Sequence, residues 1–319
     1  MLPLRNPRAI CQSRHRIVGA ALLLTATQVF GQALRRDSQG ERHVVDLPQL
    51  TAGGQAGTAA SIPEETPRLA PNGCLMGMVR VKSFCVDRFE INTVDKTTRQ
   101  PLSPYYPPNP TQLARSYRLW LIQARTSGEP SARSMPLPDL SVWQRSHRFT
   151  PKARSQKGVV PQGYMTYFTA KEACGNAEKR LCTKQEWTLA CEGEKATRFP
   201  YGEDFQRASC NVYHYYHPAF LLHGSAAIAH TDPRLNLVLE RGITPVLATT
   251  GAYANCASTW NQDRIYDMVG NLDEWVEEGS FMGGFYARNT TKGCEAEVSS
   301  HSSQYYDYST GTRCCSDAK

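Results

Sequence analysis

The chain has 319 residues, 40% of them hydrophobic, and a formal net charge of +7. That length supports one large core or two small ones, and no stretch approaches the roughly 20 apolar residues of a membrane span. The basic excess comes without a basic helix or a recognisable nucleic-acid module, so it reads as a solvated surface, and nucleic acid is not an expected partner.

Arg5, Arg8, Arg14 and Arg16 precede a short apolar run from Ile17 to Thr27, and Val29-Phe30-Gly31 follows with residues a signal peptidase accepts. Residues 1–31 therefore read as a secretory signal peptide, too short to span a membrane. Cys11 lies ahead of the run and leaves with it, so the 11 cysteines fall to an even ten. An even set in a secreted chain implies a disulfide framework and a secreted or periplasmic location. Residues 32–72 are rich in Gly, Ala, Thr, Pro and charge, and read as a flexible linker.

From Gly73 the pattern changes. Met78 to Lys82 alternates apolar and polar, and Phe84 to Ile91 follows closely, which predicts two short strands in a hairpin. Cys74 and Cys85 would lie on these neighbours, so they are expected to pair. Residues 101–160 form a Pro- and Arg-rich insertion. Pro104, Pro107, Pro108 and Pro110 prevent regular structure at its start, and one short helix is expected over Leu113 to Gln123. Nine cations from Arg115 to Lys157 face only Glu129 and Asp139. This is a solvated insertion or a docking surface for an acidic partner. Thr169 with Glu172, and Thr183 with Glu186, predict capped helices over Ala170 to Glu178 and Lys184 to Glu192, with Gly193 as a stop. Beyond Phe199 the pattern is irregular, and Met268 to Cys315 reads as short strands split by Gly-rich turns. Two helices in a loop-rich, short-stranded remainder give an α+β fold, rich in irregular structure and disulfides.

The order of motifs is more specific than any one of them. Gly73 to Asp87, Lys179-Arg180-Leu181-Cys182-Thr183-Lys184-Gln185-Glu186-Trp187, Phe199-Pro200-Tyr201-Gly202, Cys210-Asn211, Tyr266 to Trp275, Gly283-Gly284 and Gly311-Thr312-Arg313-Cys314 occur in that order. The set resembles the formylglycine-generating enzyme, or sulfatase-modifying factor, family over residues 73–315. It departs at Cys182 where the family often has Pro, at Asp273 where it has Trp, and at Thr312 where it has Phe. The resemblance implies that family's variant of the C-type lectin fold.

It also implies a bridge from Cys174 to Cys314. Cys182, Cys191, Cys210, Cys256, Cys294 and Cys315 are left open, with Cys191 pairing either Cys210 or Cys294. It implies calcium as well. One site would take carboxylates from Asp267 and Glu274 and main-chain carbonyls from Gly270 and Leu272. A second would use the side chain of Asn211 and the carbonyl of Val212; hard oxygen donors of this kind suit Ca²⁺.

The family's aerobic enzymes oxidise a sulfatase cysteine with Cu(I) held by two cysteines after the Gly-Gly turn, and soft thiolates suit that soft ion. Here an ungapped alignment places Arg288 and Gly293 at those positions. A one-residue shift recovers Cys294 for the second ligand, and nothing recovers the first, so copper is not expected. Cys294 and His301 form a weak candidate nucleophile pair, set against a bridged, inert Cys294. His214 and His217, spaced for one helical face, with His223 and His230 nearby, offer either a transition-metal set or simple aromatic packing. Asn289-Thr290-Thr291 is a formal glycosylation sequon. These features predict a monomeric, non-catalytic binding or scaffold protein for an unidentified protein or glycan ligand. The alternatives are an oxidoreductase generating formylglycine on sulfatases, or a periplasmic maturation factor with altered chemistry.

Overall fold

The computed structural model describes residues 68–319 apart from 215, 216 and 289. Before residue 68 it gives only the backbone pairing of β1 (Arg35–Arg36) with β2 (Arg42–His43). The expected signal and almost all of the expected linker lie outside the described residues. Met1–Ala59 and Ala60–Lys319 form separate units, and the second carries everything below.

The hairpin forms from β3 (Met78–Val81) and β4 (Phe84–Asp87). The apolar run to Ile91 does not continue as one strand. Arg88 gives its carbonyl to Tyr266 and Phe89 its N–H to Ser155, so the chain leaves the hairpin and re-forms as β5 (Ile91–Asp95). The insertion holds three helices, α1 (Pro110–Gln123), α2 (Pro130–Ser134) and α3 (Val142–Ser146), and ends in β6 (Pro151–Ser155), which pairs with β5. Asn109 caps α1 by accepting from the N–H groups of Thr111 and Gln112, with Pro110 at the first helical position.

Helix α4 (Tyr167–Gly175) starts earlier than its sequence pattern predicts. Thr166, not Thr169, is its cap, and the Thr166 side chain accepts the Thr169 N–H. After β7 (Arg180–Leu181), α5 (Lys184–Glu192) opens on the expected capping box of Thr183 and Glu186 and stops at Gly193. Helix α6 (Pro218–His223) begins after His217, so His214 and His217 do not share a helical face. Short pieces complete the chain: β8 (Leu239–Glu240) with β9 (Thr244–Pro245), and β10 (Ala257–Trp260) with β11 (Asp263–Tyr266). They are followed by β12 (Asp273–Trp275), β13 (Phe281–Met282), β14 (Glu297–Val298), β15 (Thr310–Gly311) and β16 (Cys314–Asp317).

Two four-stranded sheets organise these pieces, in the orders β3-β4-β16-β7 and β14-β13-β12-β15. The first is antiparallel throughout; the second has β12 and β15 parallel. Strand β16 brings the end of the chain against its opening hairpin. Successive residues of a strand face opposite sides, and β16 shows the consequence. Cys314 bridges to Cys174 among Ile91, Leu181, Trp275 and Phe281, whereas Cys315 bridges to Cys182 among Val79, Val86 and Trp187. The remaining bridges are Cys74–Cys85, Cys191–Cys294 and Cys210–Cys256. Cys191 thus takes the distant Cys294 and not the nearby Cys210. Cys74 sits in the turn before β3, not on a strand. All ten cysteines among the described residues are bonded.

Candidate functional site

The short strand β12 divides two polar centres between its faces. Glu274 points one way and Asp273 the other, as strand alternation requires.

On the Glu274 side, Arg313 makes a bidentate pair with the carboxylate, Nε to Oε2 and Nη2 to Oε1, both at 2.7 Å. The Trp187 indole N–H donates to Oε2 at 2.7 Å. Arg313 spends its other donors on the carbonyls of Asp87 and Tyr266. Both ions are buried, so this pair is viable only because nearly every donor and acceptor is met. Two further carboxylates crowd the same region. Burial pushes Asp267 up to about 6, partly offset by the Gly251 N–H bonded to it and by Arg313. Burial also raises Glu90 well above the usual range, and the nearby Asp267 and Glu274 add to it.

Asn271 connects this centre to a second chain of polar contacts. Its amide nitrogen donates to Glu90 at 2.5 Å, and its oxygen accepts from Asn211 at 2.8 Å. The Asn211 oxygen meets His214 at 2.7 Å, and His214 meets Glu240 at 2.9 Å. The backbone reaches this arrangement through left-handed residues at Asp267, Gly270 and Asn271. Gly270 cannot be replaced, since a Cβ there would stand 2.3 Å from the Asn211 carbonyl oxygen.

The residues assigned to calcium therefore lie together, but not as free ligands. Glu274 has both oxygens on Arg313 and Trp187. The Asn211 side-chain oxygen is taken by His214. Among the described residues no three His, Cys, Asp or Glu side chains are grouped to hold a metal ion. The four histidines weighed as a set disperse: His214 goes to Glu240, His217 to Tyr308, His223 to Asp232, and His230 to the Ala226 carbonyl.

On the Asp273 side, Arg288 donates to Oδ1 at 2.7 Å while its guanidinium lies over the Phe285 ring at 5.0 Å. Oδ2 is buried with no hydrogen-bond partner. Burial pushes Asp273 up to about 7, with Arg288 working against it and Asp307 adding to it. Asp307 accepts from the Tyr305 hydroxyl at 2.6 Å and from the N–H and hydroxyl of Ser309. His230 lies 3.9 Å from the same carboxylate. Tyr308 stacks edge-on to both His217 and His230 and bonds His217 through its hydroxyl at 2.7 Å. Burial lowers the His217 pKa, and His230 lowers it further. Its Nδ1 is a second buried atom without a partner. This centre combines a buried carboxylate whose pKa lies near neutrality with a half-buried guanidinium and packed aromatic side chains, a perturbed group of the kind that marks a candidate site.

The positions that the resemblance assigns to copper hold other partners. Arg288 is committed to Asp273, Gly293 offers no side chain, and Cys294 is bonded to Cys191. Cys294 and His301 form no thiol–imidazole pair; His301 is exposed and stacks on Tyr305 at 3.9 Å between ring centroids. Val212 lies half-buried beside Gly270. Sequence reasoning missed Glu90. An acid inside the apolar run Phe84–Ile91 was the available signal for Glu90.

The family model for the sulfatase-modifying factor enzyme 1-like domain matches residues 78–305. The chain belongs to that family, and its architecture is the family's variant of the C-type lectin fold. Among solved structures it is similar to CarF, at 13% identity and a TM-score of 0.34 over 74% of this chain and 87% of that one. It is also similar to PvdO from Pseudomonas aeruginosa, at 14% identity and a TM-score of 0.33 over 82% and 90%. A third likeness is to the U1 variant of the major tropism determinant, at 14% and 0.29 over 78% and 54%. No curated protein matches the chain.

Proposed function

We propose that this chain is a secreted or periplasmic member of the family that binds a ligand and does not carry out copper-dependent cysteine oxidation. One observation carries the reading: every cysteine among the described residues is bridged, so no pair of thiolates is available to Cu(I). The half-buried Arg288, Tyr305 and His230, which contact the buried Asp273, Asp307 and Tyr308, form the proposed binding surface for a protein or glycan ligand.

Titration of the native protein with Cu(I) against a chromogenic chelator tests this. The expected result is no copper retained against the chelator, and no reactive thiol other than Cys11 where the signal is still attached. A tight Cu(I) complex with two reactive thiols would restore formylglycine generation.

A second reading, a maturation factor with altered chemistry, is favoured by Asp273 alone. A buried carboxylate near pH 7 with one oxygen unpartnered is suited to proton transfer. Calcium is a separate proposal. With Glu274 committed to Arg313, an ion here would rest on Asp267 and the carbonyls of Gly270 and Leu272. Under that proposal the melting temperature falls on adding a chelator and returns with calcium. An unchanged melting temperature, in protein shown by metal analysis to carry no calcium, removes it.

A further inference from the structure

The insertion contains a groove that the cysteine chemistry does not involve. It measures about 600 Å³ and runs between the 101–105 segment and the 136–144 segment, with Leu237 at its base. Pro104, Tyr105, Leu137, Pro138 and Leu237 give it apolar walls. Those walls are fixed. Tyr106 bonds its hydroxyl to the Pro138 carbonyl at 3.0 Å, and the buried Gln162 amide donates to the Tyr106 carbonyl at 3.0 Å. Proline walls lose little freedom when a ligand enters.

Two polar atoms in the lining are unsatisfied. Gln144 is 2% exposed, and its Oε1 accepts from the Ser103 N–H at 2.9 Å, which fixes the amide. Its Nε2 has no partner, and neither has the buried hydroxyl of Ser103. A buried amide donor without a partner costs free energy until something accepts from it. Asp139, exposed at the groove, is its sole charged lining residue.

We propose that this groove binds an extended peptide segment of a partner protein. Apolar residues, proline among them, would lie on the walls. A main-chain carbonyl would accept from Gln144 Nε2, and a basic side chain would sit beside Asp139. Gln144 and Ser103 match the carbonyls of an extended chain, which has no internal hydrogen bonds. The lone carboxylate gives the groove a charge preference opposite to that of the basic insertion around it. This proposal concerns a different part of the chain from the Asp273 centre, and it stands or falls separately.

The test uses two blocked tripeptides, acetyl-Pro-Leu-Arg-amide and acetyl-Pro-Leu-Glu-amide, titrated into the full protein and followed by NMR. The expected result is a saturable shift of the Gln144 side-chain amide and of Tyr105. The Arg peptide should bind roughly twofold to fivefold more tightly than the Glu peptide, and Asp139→Asn should remove that difference. Gln144→Leu should weaken binding roughly fivefold to tenfold. Ser103→Ala, which leaves the Gln144 contact to the Ser103 backbone in place, should weaken it less while the melting temperature holds. The proposal is overturned if neither peptide gives a saturable shift, as when water alone satisfies the two atoms. It is equally overturned if both variants bind like the parent, or if the two peptides bind alike.

Discussion

At the scale of single residues, the contrast between Asp273 and Glu274 is the most informative. They are neighbours on one short strand, yet Glu274 has its charge matched by Arg313 on two bonds and Asp273 has one bond and one empty oxygen. Removing Arg313 leaves a buried carboxylate uncompensated, so Arg313→Met should destabilise the fold by about 3 to 5 kcal/mol, measured by denaturant unfolding. Asp273, at about 7, and Asp267, at about 6, lie above their value in the unfolded chain. Through these two groups the folded state holds more protons than the unfolded state from about pH 4 to pH 7, and their contribution to stability falls as pH rises across that window, while the lowered His217 works against it at the upper end. Asp273→Asn should flatten the decline. A pH dependence that Asp273→Asn leaves unchanged would contradict the assignment. The motif around Gly270 was legible because a left-handed turn needs glycine. The Asp273–Arg288 pair was not, because no local rule links residues brought together by irregular chain.

At the scale of elements, helix ends were the most readable feature. The Thr183–Glu186 box formed as its spacing predicts, and Thr183→Ala should cost about 1 kcal/mol in unfolding experiments. Thr169 carried the same signal and lost to Thr166, which caps the helix three residues earlier by accepting the Thr169 N–H and so places Thr169 inside the first turn. The helices of the insertion depend on a contact that the sequence does not announce. Arg234 is fully buried, pairs with Asp232 at 2.7 Å, and donates to the carbonyls of Ala124, Ala132 and Met135. It thereby satisfies open ends of α1 and α2 at once. Asp232 is held in turn by His223 at 2.9 Å, and these partners keep its pKa low against burial. Arg234→Met should leave Asp232 with His223 as its one side-chain partner, strip the carbonyls of Ala124, Ala132 and Met135 of their donor, and make the insertion the first region cut in limited proteolysis. A variant cleaved no faster there than the parent would show that the clamp is dispensable.

At the scale of the whole molecule, bridges do what a larger core would otherwise do. The bridges separated by 140, 133 and 103 residues each constrain the unfolded chain by about 5 kcal/mol in the chain-entropy limit, though overlapping loops do not add. The fold was readable because its motifs recur in a fixed order. The pairing of Cys191 was not, since spacing favoured Cys210 and only the approach of α5 to the 293–295 turn selects Cys294. That pairing decides the functional reading, because it removes the last cysteine near the copper positions. A disulfide map of residues 68–319 in the native protein by mass spectrometry tests it most directly. The account predicts linked peptides joining Cys191 to Cys294 and Cys210 to Cys256, with no alkylated cysteine. Finding Cys294 alkylated beside a second reduced cysteine would contradict it.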